Sequence, residues 1–376
     1  MRWKRLFIRG FSEIQAAFSL NTRNISPVRA AASGVAAASP ATDCQEGSLK
    51  LTARRVSVNI APLARPAQDL AQEPPRPRIG LALGGGVARG WAHIGALRRL
   101  EELGFKPDIV CGTSVGALAG GFWLAGRLEG LEAWALALTK RRMLSYFDLM
   151  LNGSGLMGGA KLRARMEELI GGARIEALPA EFVAVTAELA TGHEIWLRSG
   201  SLVEAIEAAY ALPGVFPRRA IGGRWLIDGA LVNPLPVSVC RALGARIVVA
   251  IGLHGDALGR LGGRAERLEQ TAAAGRQLEA VSRGGLAERL MLKKLFAPTG
   301  PAPGLGTVML ASFNIVMDRI TRARLAGDPP DVLVTPQVGH ISLLDFDRAE
   351  ELIALGREAV DYSAPRIARA IEFLAA

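Results

Sequence analysis

A chain of 376 residues, half of them hydrophobic and about one-fifth charged, has room for one large domain or two small ones around a substantial core. The net charge of +10 invites a nucleic-acid partner, but residues 1–78 carry 12 Lys/Arg against 5 Asp/Glu and the other 298 carry 33 against 30. The folded body therefore has no strong basic excess, which argues against nucleic acid. Cys44, Cys111 and Cys240 form no C-x-x-C pair and His93, His193, His254 and His340 stand apart, which argues against a disulfide framework, fits a reducing compartment and suggests no zinc site.

Residues 1–78 lack sustained periodicity and end in Pro74-Pro-Arg-Pro-Arg78. They read as a disordered basic tail and proline-rich linker. Arg9 and Glu13 interrupt any signal-peptide stretch, and the apolar run Val115–Gly126 is too short to span a bilayer. The sequence thus points to a cytoplasmic protein.

From residue 79 to 376 short apolar strands alternate with helices, which predicts an α/β domain with a mainly parallel sheet. Predicted strands are Ile79–Leu83, Ile109–Cys111, Phe182–Glu188, Glu194–Arg198, Arg224–Ile227, Arg246–Ile251 and Asp331–Thr335. Helices are predicted at 90–103, from Val115 to Ala125, and at 160–170, 201–210, 236–243, 264–281, 286–296, 307–326 and 347–374. Residues 255–306 read as a lid-like or membrane-facing insertion, with 8 Lys/Arg against 5 Asp/Glu. Within it, residues 286–296 have the pattern of a basic amphipathic helix suited to a lipid surface or to packing as a lid.

Three motifs carry chemistry. Gly112-Thr113-Ser114-Val115-Gly116 lies between a predicted strand and a predicted helix, the context of a nucleophile elbow. A serine there needs a proton acceptor and donors for a developing oxyanion. Gly84-Gly85-Gly86-Val87-Ala88-Arg89-Gly90 follows the first strand and precedes a helix, so backbone N–H groups are free to face an anion. Its glycine spacing misses G-x-G-x-x-G, and it lacks the Lys-Ser/Thr of a P-loop. Asp228, in Trp225-Leu-Ile-Asp228-Gly229-Ala230, stands at a strand end as the candidate base.

Together these motifs resemble those of the patatin-like phospholipases, of the bacterial type related to the neuropathy target esterase group. The resemblance covers about residues 78–376 and includes Leu212-Pro213-Gly214-Val215-Phe216-Pro217. It implies a three-layer α/β/α fold with a mainly parallel central sheet. It also implies a Ser–Asp dyad that hydrolyses the acyl esters of phospholipid, lysophospholipid or a related lipid through an acyl-enzyme, without cofactor or metal. By that resemblance Ser114 is the nucleophile and Asp228 the base. Gly84, Gly85, Gly86, Arg89 and Gly90 belong to the oxyanion loop, Gly112 and Gly116 frame the elbow, and Gly229 and Ala230 complete the Asp-Gly-Ala motif. Two positions depart from the pattern: Val87 in the loop, and Ala208-Ala209-Tyr210, which has no serine.

Two other readings stay open from the residues alone. Ser114, Asp228 and His340 occur in the chain order of a Ser–Asp–His esterase or thioesterase triad. A catalytically silent lipid-binding protein would share the fold, although the intact motifs favour an enzyme. The expected partners are an acyl-ester substrate and, transiently, a membrane surface; the oligomeric state is not predicted.

Overall fold

The computed structural model describes residues 77–139, 159–254 and 304–375. The expectations for the tail, for nearly all of the insertion and for helices 264–281 and 286–296 lie outside the described residues.

The domain opens with β1 (Arg78–Leu83), a 3-10 turn (Val87–Trp91), α1 (Ala92–Glu102) and β2 (Ile109–Thr113). Next come α2 (Val115–Leu124), α3 (Leu128–Leu136), α4 (Ala160–Ile170), β3 (Glu181–Glu188), β4 (Glu194–Leu197) and α5 (Leu202–Ala209). Then follow β5 (Arg219–Ile221), β6 (Arg224–Asp228), α6 (Val237–Ala242), β7 (Ala245–Ile251), α7 (Leu305–Gly327), β8 (Val332–Val334) and α8 (Ala349–Ala375). Every predicted strand is present. Two elements were not foreseen. α3 buries Leu128, Leu131, Trp134 and Ala135 along one side despite Gly130. β5 is only three residues long and exists by pairing across the Gly222-Gly223 turn with β6.

The sheet runs β5-β6-β3-β2-β1-β7-β8, with β4 also on β3. Pairs β3-β2, β2-β1, β1-β7 and β7-β8 are parallel, whereas β4 and β6 pair antiparallel with β3 and β5 with β6. The strands alternate with the pleat. Leu81, Leu83, Val110, Phe182, Ala184, Val249 and Ile251 join one buried cluster; Ala82, Ile109, Cys111, Val183, Val185, Val248 and Ala250 join another. Helices α1, α2 and α5 pack with the first and α6 with the second, giving three layers. Helices α1 and α8 touch backbone to backbone, since a Cβ at Gly95 would lie 1.8 Å from Ile353 O and one at Gly356 1.8 Å from Ala92 O. Among the described residues no helix is long and apolar enough to cross a membrane.

One register detail positions the chemistry. Ala184 and Val185 pair with both β2 and β4, while Thr186 and Ala187 pair with both β4 and β6. A strand has two edges, so β2 and β6 must share one edge of β3 in succession. β2 ends at Thr113, opposite Val185, and β6 arrives from the other direction to end at Asp228, opposite Thr186.

Candidate active site

Ser114 follows the last residue of β2 and has φ 55° and ψ −125°, a conformation that strains any residue with a side chain. The surrounding backbone enforces it. A Cβ at Gly112 would lie 2.5 Å from Ala117 Cα, and one at Gly116 2.3 Å from Leu83 O. The chain therefore turns from strand to helix in the least space available, and the serine side chain is left pointing off the sheet. Thr113 Oγ1 donates to Asn233 O at 2.8 Å and fixes the end of β2 to the segment after β6.

Ser114 Oγ donates to Asp228 Oδ2 at 2.7 Å. Ala230 N–H donates to Oδ1 at 2.8 Å, and Asp228 N–H itself donates to Ala211 O at 3.0 Å. Gly229 serves close packing, since a Cβ there would lie 2.3 Å from Val185 O. Asp228 is 2 % exposed, and burial pushes its carboxyl up to about 7, against the pull of the hydrogen bonds from Ala230 and Ser114.

The glycine loop lies against this pair, and its residues have different jobs. Gly84 N–H donates to Ile251 O and Gly85 N–H to Pro234 O, so both are engaged within the fold. Gly85 packs on the site itself: a Cβ there would stand 3.3 Å from Ser114 Cβ. Among the described residues no acceptor takes the N–H of Gly86 or of Val87, whose φ is 52°. Gly90 lets the 3-10 turn lie on the elbow helix, because a Cβ there would come within 2.1 Å of Val115 Cγ2. Arg89 is buried and reaches away from the serine, donating to Ile341 O at 2.8 Å and Gly339 O at 3.4 Å. With Ala88 N–H on Leu343 O, it ties the loop to the segment after β8.

His93, fully buried on α1, contacts Gly84 O through Nε2 at 2.8 Å. A carbonyl only accepts, so Nε2 carries the proton. Burial lowers its pKa to about 4 despite that hydrogen bond, which keeps the ring neutral. His340 lies elsewhere, half exposed, with Nε2 2.8 Å from Glu351 Oε1. Both oxygens of Asp228 are engaged by Ser114 and Ala230 instead.

Ser114 and Asp228 open onto a cavity of about 120 Å³ whose walls include Trp91, Tyr210, Phe216, Leu310 and Phe346. Val87 also lines it. Phe216 belongs to the Leu212–Pro217 segment singled out by the resemblance, whereas Trp91, Tyr210, Leu310 and Phe346 come from segments far apart and each is an ordinary core residue by pattern. Beside the cavity, Glu207 of α5 is 1 % exposed and is held by Arg163 of α4, at 2.7 Å, and by Arg219 of β5. Burial raises its pKa and the two guanidinium groups oppose the rise. This ion-pair cluster, buried only at its carboxylate, ties together three elements that carry or flank the cavity residues Leu162 and Tyr210. The spacing of Glu207 in α5 and Tyr210 just after it carried no signal that a polar group would be buried there.

Helices on both faces of a largely parallel sheet, with a strained serine where a central strand becomes a helix, make this an α/β protein whose candidate site lies at a sharp strand-to-helix turn. The family model for patatin-like phospholipase matches residues 81–241, a stretch that holds all three motifs. An uncharacterized NTE family protein of Mycobacterium tuberculosis is 32% identical over 326 residues, covering 75% of this chain and 89% of that protein. The chain belongs to the patatin-like phospholipase family, in its NTE group. Similarity extends to animal proteins over a shorter stretch. Neuropathy target esterase sws of Drosophila melanogaster is 34% identical over 46% of this chain and 13% of its own length. A patatin-like phospholipase domain-containing protein of Caenorhabditis elegans is 36% identical over 46% of this chain and 13% of its own length.

Proposed function

We propose that this chain hydrolyses lipid acyl esters with Ser114 as nucleophile and Asp228 as its general base. The observation that carries the reading is the 2.7 Å hydrogen bond from the strained Ser114 hydroxyl to a buried carboxylate, at the wall of an apolar cavity. In water a carboxylate is too weak a base for a hydroxyl. In a dry site its basicity rises, and proton transfer concerted with attack avoids a free alkoxide. Ser114 Oγ bonds to the acyl carbon as its proton passes to Asp228 Oδ2. The oxyanion is held by the N–H groups of Gly86 and Val87, beside the N-terminus of α2. Collapse expels the alcohol, which takes the proton from Asp228 and leaves an acyl-serine. Water attacks that ester by the same route, giving up a proton to Asp228, and the fatty acid leaves as Ser114 recovers its hydrogen.

Gly84, Gly85, Gly90 and Arg89 act in this scheme as the frame of the oxyanion loop rather than as donors to it. The reading needs no cofactor and no histidine; the exposed pairing of His340 with Glu351 supports a dyad over a triad. An apolar cavity suits an acyl chain, so phospholipid and lysophospholipid are the substrates to test first, on a membrane that the protein visits from the cytoplasm. A fluorophosphonate probe tests the reading directly. It is expected to label the wild-type protein and not Ser114→Ala, with fatty acid released from phospholipid or lysophospholipid only by the former. Absence of labelling with lipid present would overturn it.

A further inference from the structure

Among the described residues, nothing covers an apolar face of helix α7. Leu305, Val308, Met309, Ile315 and Val316 are 63%, 43%, 38%, 57% and 43% exposed, and they recur at the three- and four-residue spacing of one side of a helix. No charged residue occurs from Leu305 to Met317. A helix face meant for water carries charge, so this stretch departs from the rule over more than three turns.

The other side of the same turns belongs to the catalytic cavity. Leu310 is buried and lines it with Ser114 and Phe216, while Met309 covers Gly214 of the Leu212–Pro217 segment, with Cε 3.1 Å from where a Cβ would be. Consecutive residues of one helix thus face the acyl site and the solvent. We propose that this face of α7 docks the protein on a lipid bilayer, so that an acyl chain leaving the membrane passes along the helix into the cavity. The proposal rests on the lipid-ester reading above and names the surface through which its substrate arrives.

Size and charge favour a bilayer over a second copy of the chain. The five side chains leave roughly 450 Å² facing water, a typical functional patch but about half of the ~800 Å² that each partner of a stable dimer buries. The first exposed charge beyond the row is Arg319, while Asp318 is neutralised by Arg322 at 3.1 Å. A single-sided apolar row ended by a cation matches an anionic lipid surface.

The test uses full-length protein and vesicles of phosphatidylcholine and phosphatidylglycerol. Leu305→Asp with Ile315→Asp, in a Ser114→Ala background, is expected to cut vesicle co-flotation about tenfold or more, since two apolar side chains that would enter the bilayer become charged. With Ser114 intact, the same pair should slow hydrolysis of vesicle lipid but leave a dispersed short-chain ester, p-nitrophenyl butyrate, within about twofold, because the inner wall is unchanged. Unaltered flotation would overturn the proposal. So would a fall in melting temperature with loss of both activities, which would mean that the face is packed within the fold, or a shift from dimer to monomer in sedimentation. Face-dependent flotation without any ester hydrolysis would uphold the docking surface and reject the hydrolase reading instead.

Discussion

Thr113 and Asp228 pair with successive residues, Val185 and Thr186, on one edge of β3. Two strands approaching from opposite directions therefore end against each other, and the residue after Thr113 meets the carboxylate of Asp228. The distance between the Ser114 hydroxyl and the Asp228 carboxyl is set by strand register rather than by loops. A register fixed by buried faces resists slippage, because a one-residue shift would move every side chain of β3 from one packed layer into the other.

Asp228 must be ionised to accept a proton, and its carboxyl lies at about 7. Ester hydrolysis by the free enzyme is therefore expected to rise with pH and level off above about 7, as the base loses its proton. His340→Ala should leave this limb in place. A kcat/KM profile flat from pH 5 to 8, or one whose limb vanishes with His340, would reject Asp228 as the base.

Stability gives a second check, with a defined sign. The Asp228 carboxyl rises from 3.8 to about 7 on folding, so the unfolded chain ionises first. Whatever stability this group preserves is fully present below pH 3.8 and is lost as pH rises through about 7. The loss is on the order of 4 kcal/mol. Asp228→Asn, which cannot ionise, should thus gain melting temperature relative to wild type between pH 4 and pH 8 while its hydrolysis falls about 10²–10⁴-fold. Calorimetry at the two pH values measures the first effect.

Gly116 supplies a steric test of the elbow. An alanine Cβ would lie 2.3 Å from Leu83 O and 2.8 Å from Gly84 O, both backbone atoms with little freedom to move. Gly116→Ala is expected to cost about 1–3 kcal/mol in urea unfolding, or more if the loop cannot shift. The same change at Gly104, whose surroundings are open, should cost only the strain of its positive φ.

His93 offers a test of the proposed oxyanion role of the glycine loop and of how that loop is held. Its Nε2–H on Gly84 O fixes the peptide ahead of the Gly86 and Val87 donors. His93→Ala is expected to lower kcat more than it raises KM, since a loop donor strengthens its contact in the transition state. His93→Gln, which returns an N–H near the same place, should restore much of the loss. Equal effects of the two substitutions would assign the histidine to packing alone.

The strands, most helices and the three motifs were legible in the order of residues alone. Each of those signals is local: pleat alternation, an apolar run, a glycine beside a serine or an aspartate. The motif residues come together in space, although Gly84 and Gly85 turn out to spend their N–H groups inside the fold and Arg89 faces away from the serine. The short β5 was illegible because three residues carry no periodicity, and α3 because Gly130 masks its pattern. Where distant segments meet was settled by packing and strand order. Sharing one edge of β3 puts Asp228 against Ser114, burial then raises its carboxyl, and Trp91, Tyr210, Leu310 and Phe346 close a cavity from four separate segments. Such contacts depend on which elements are neighbours, and no local pattern of side chains encodes that.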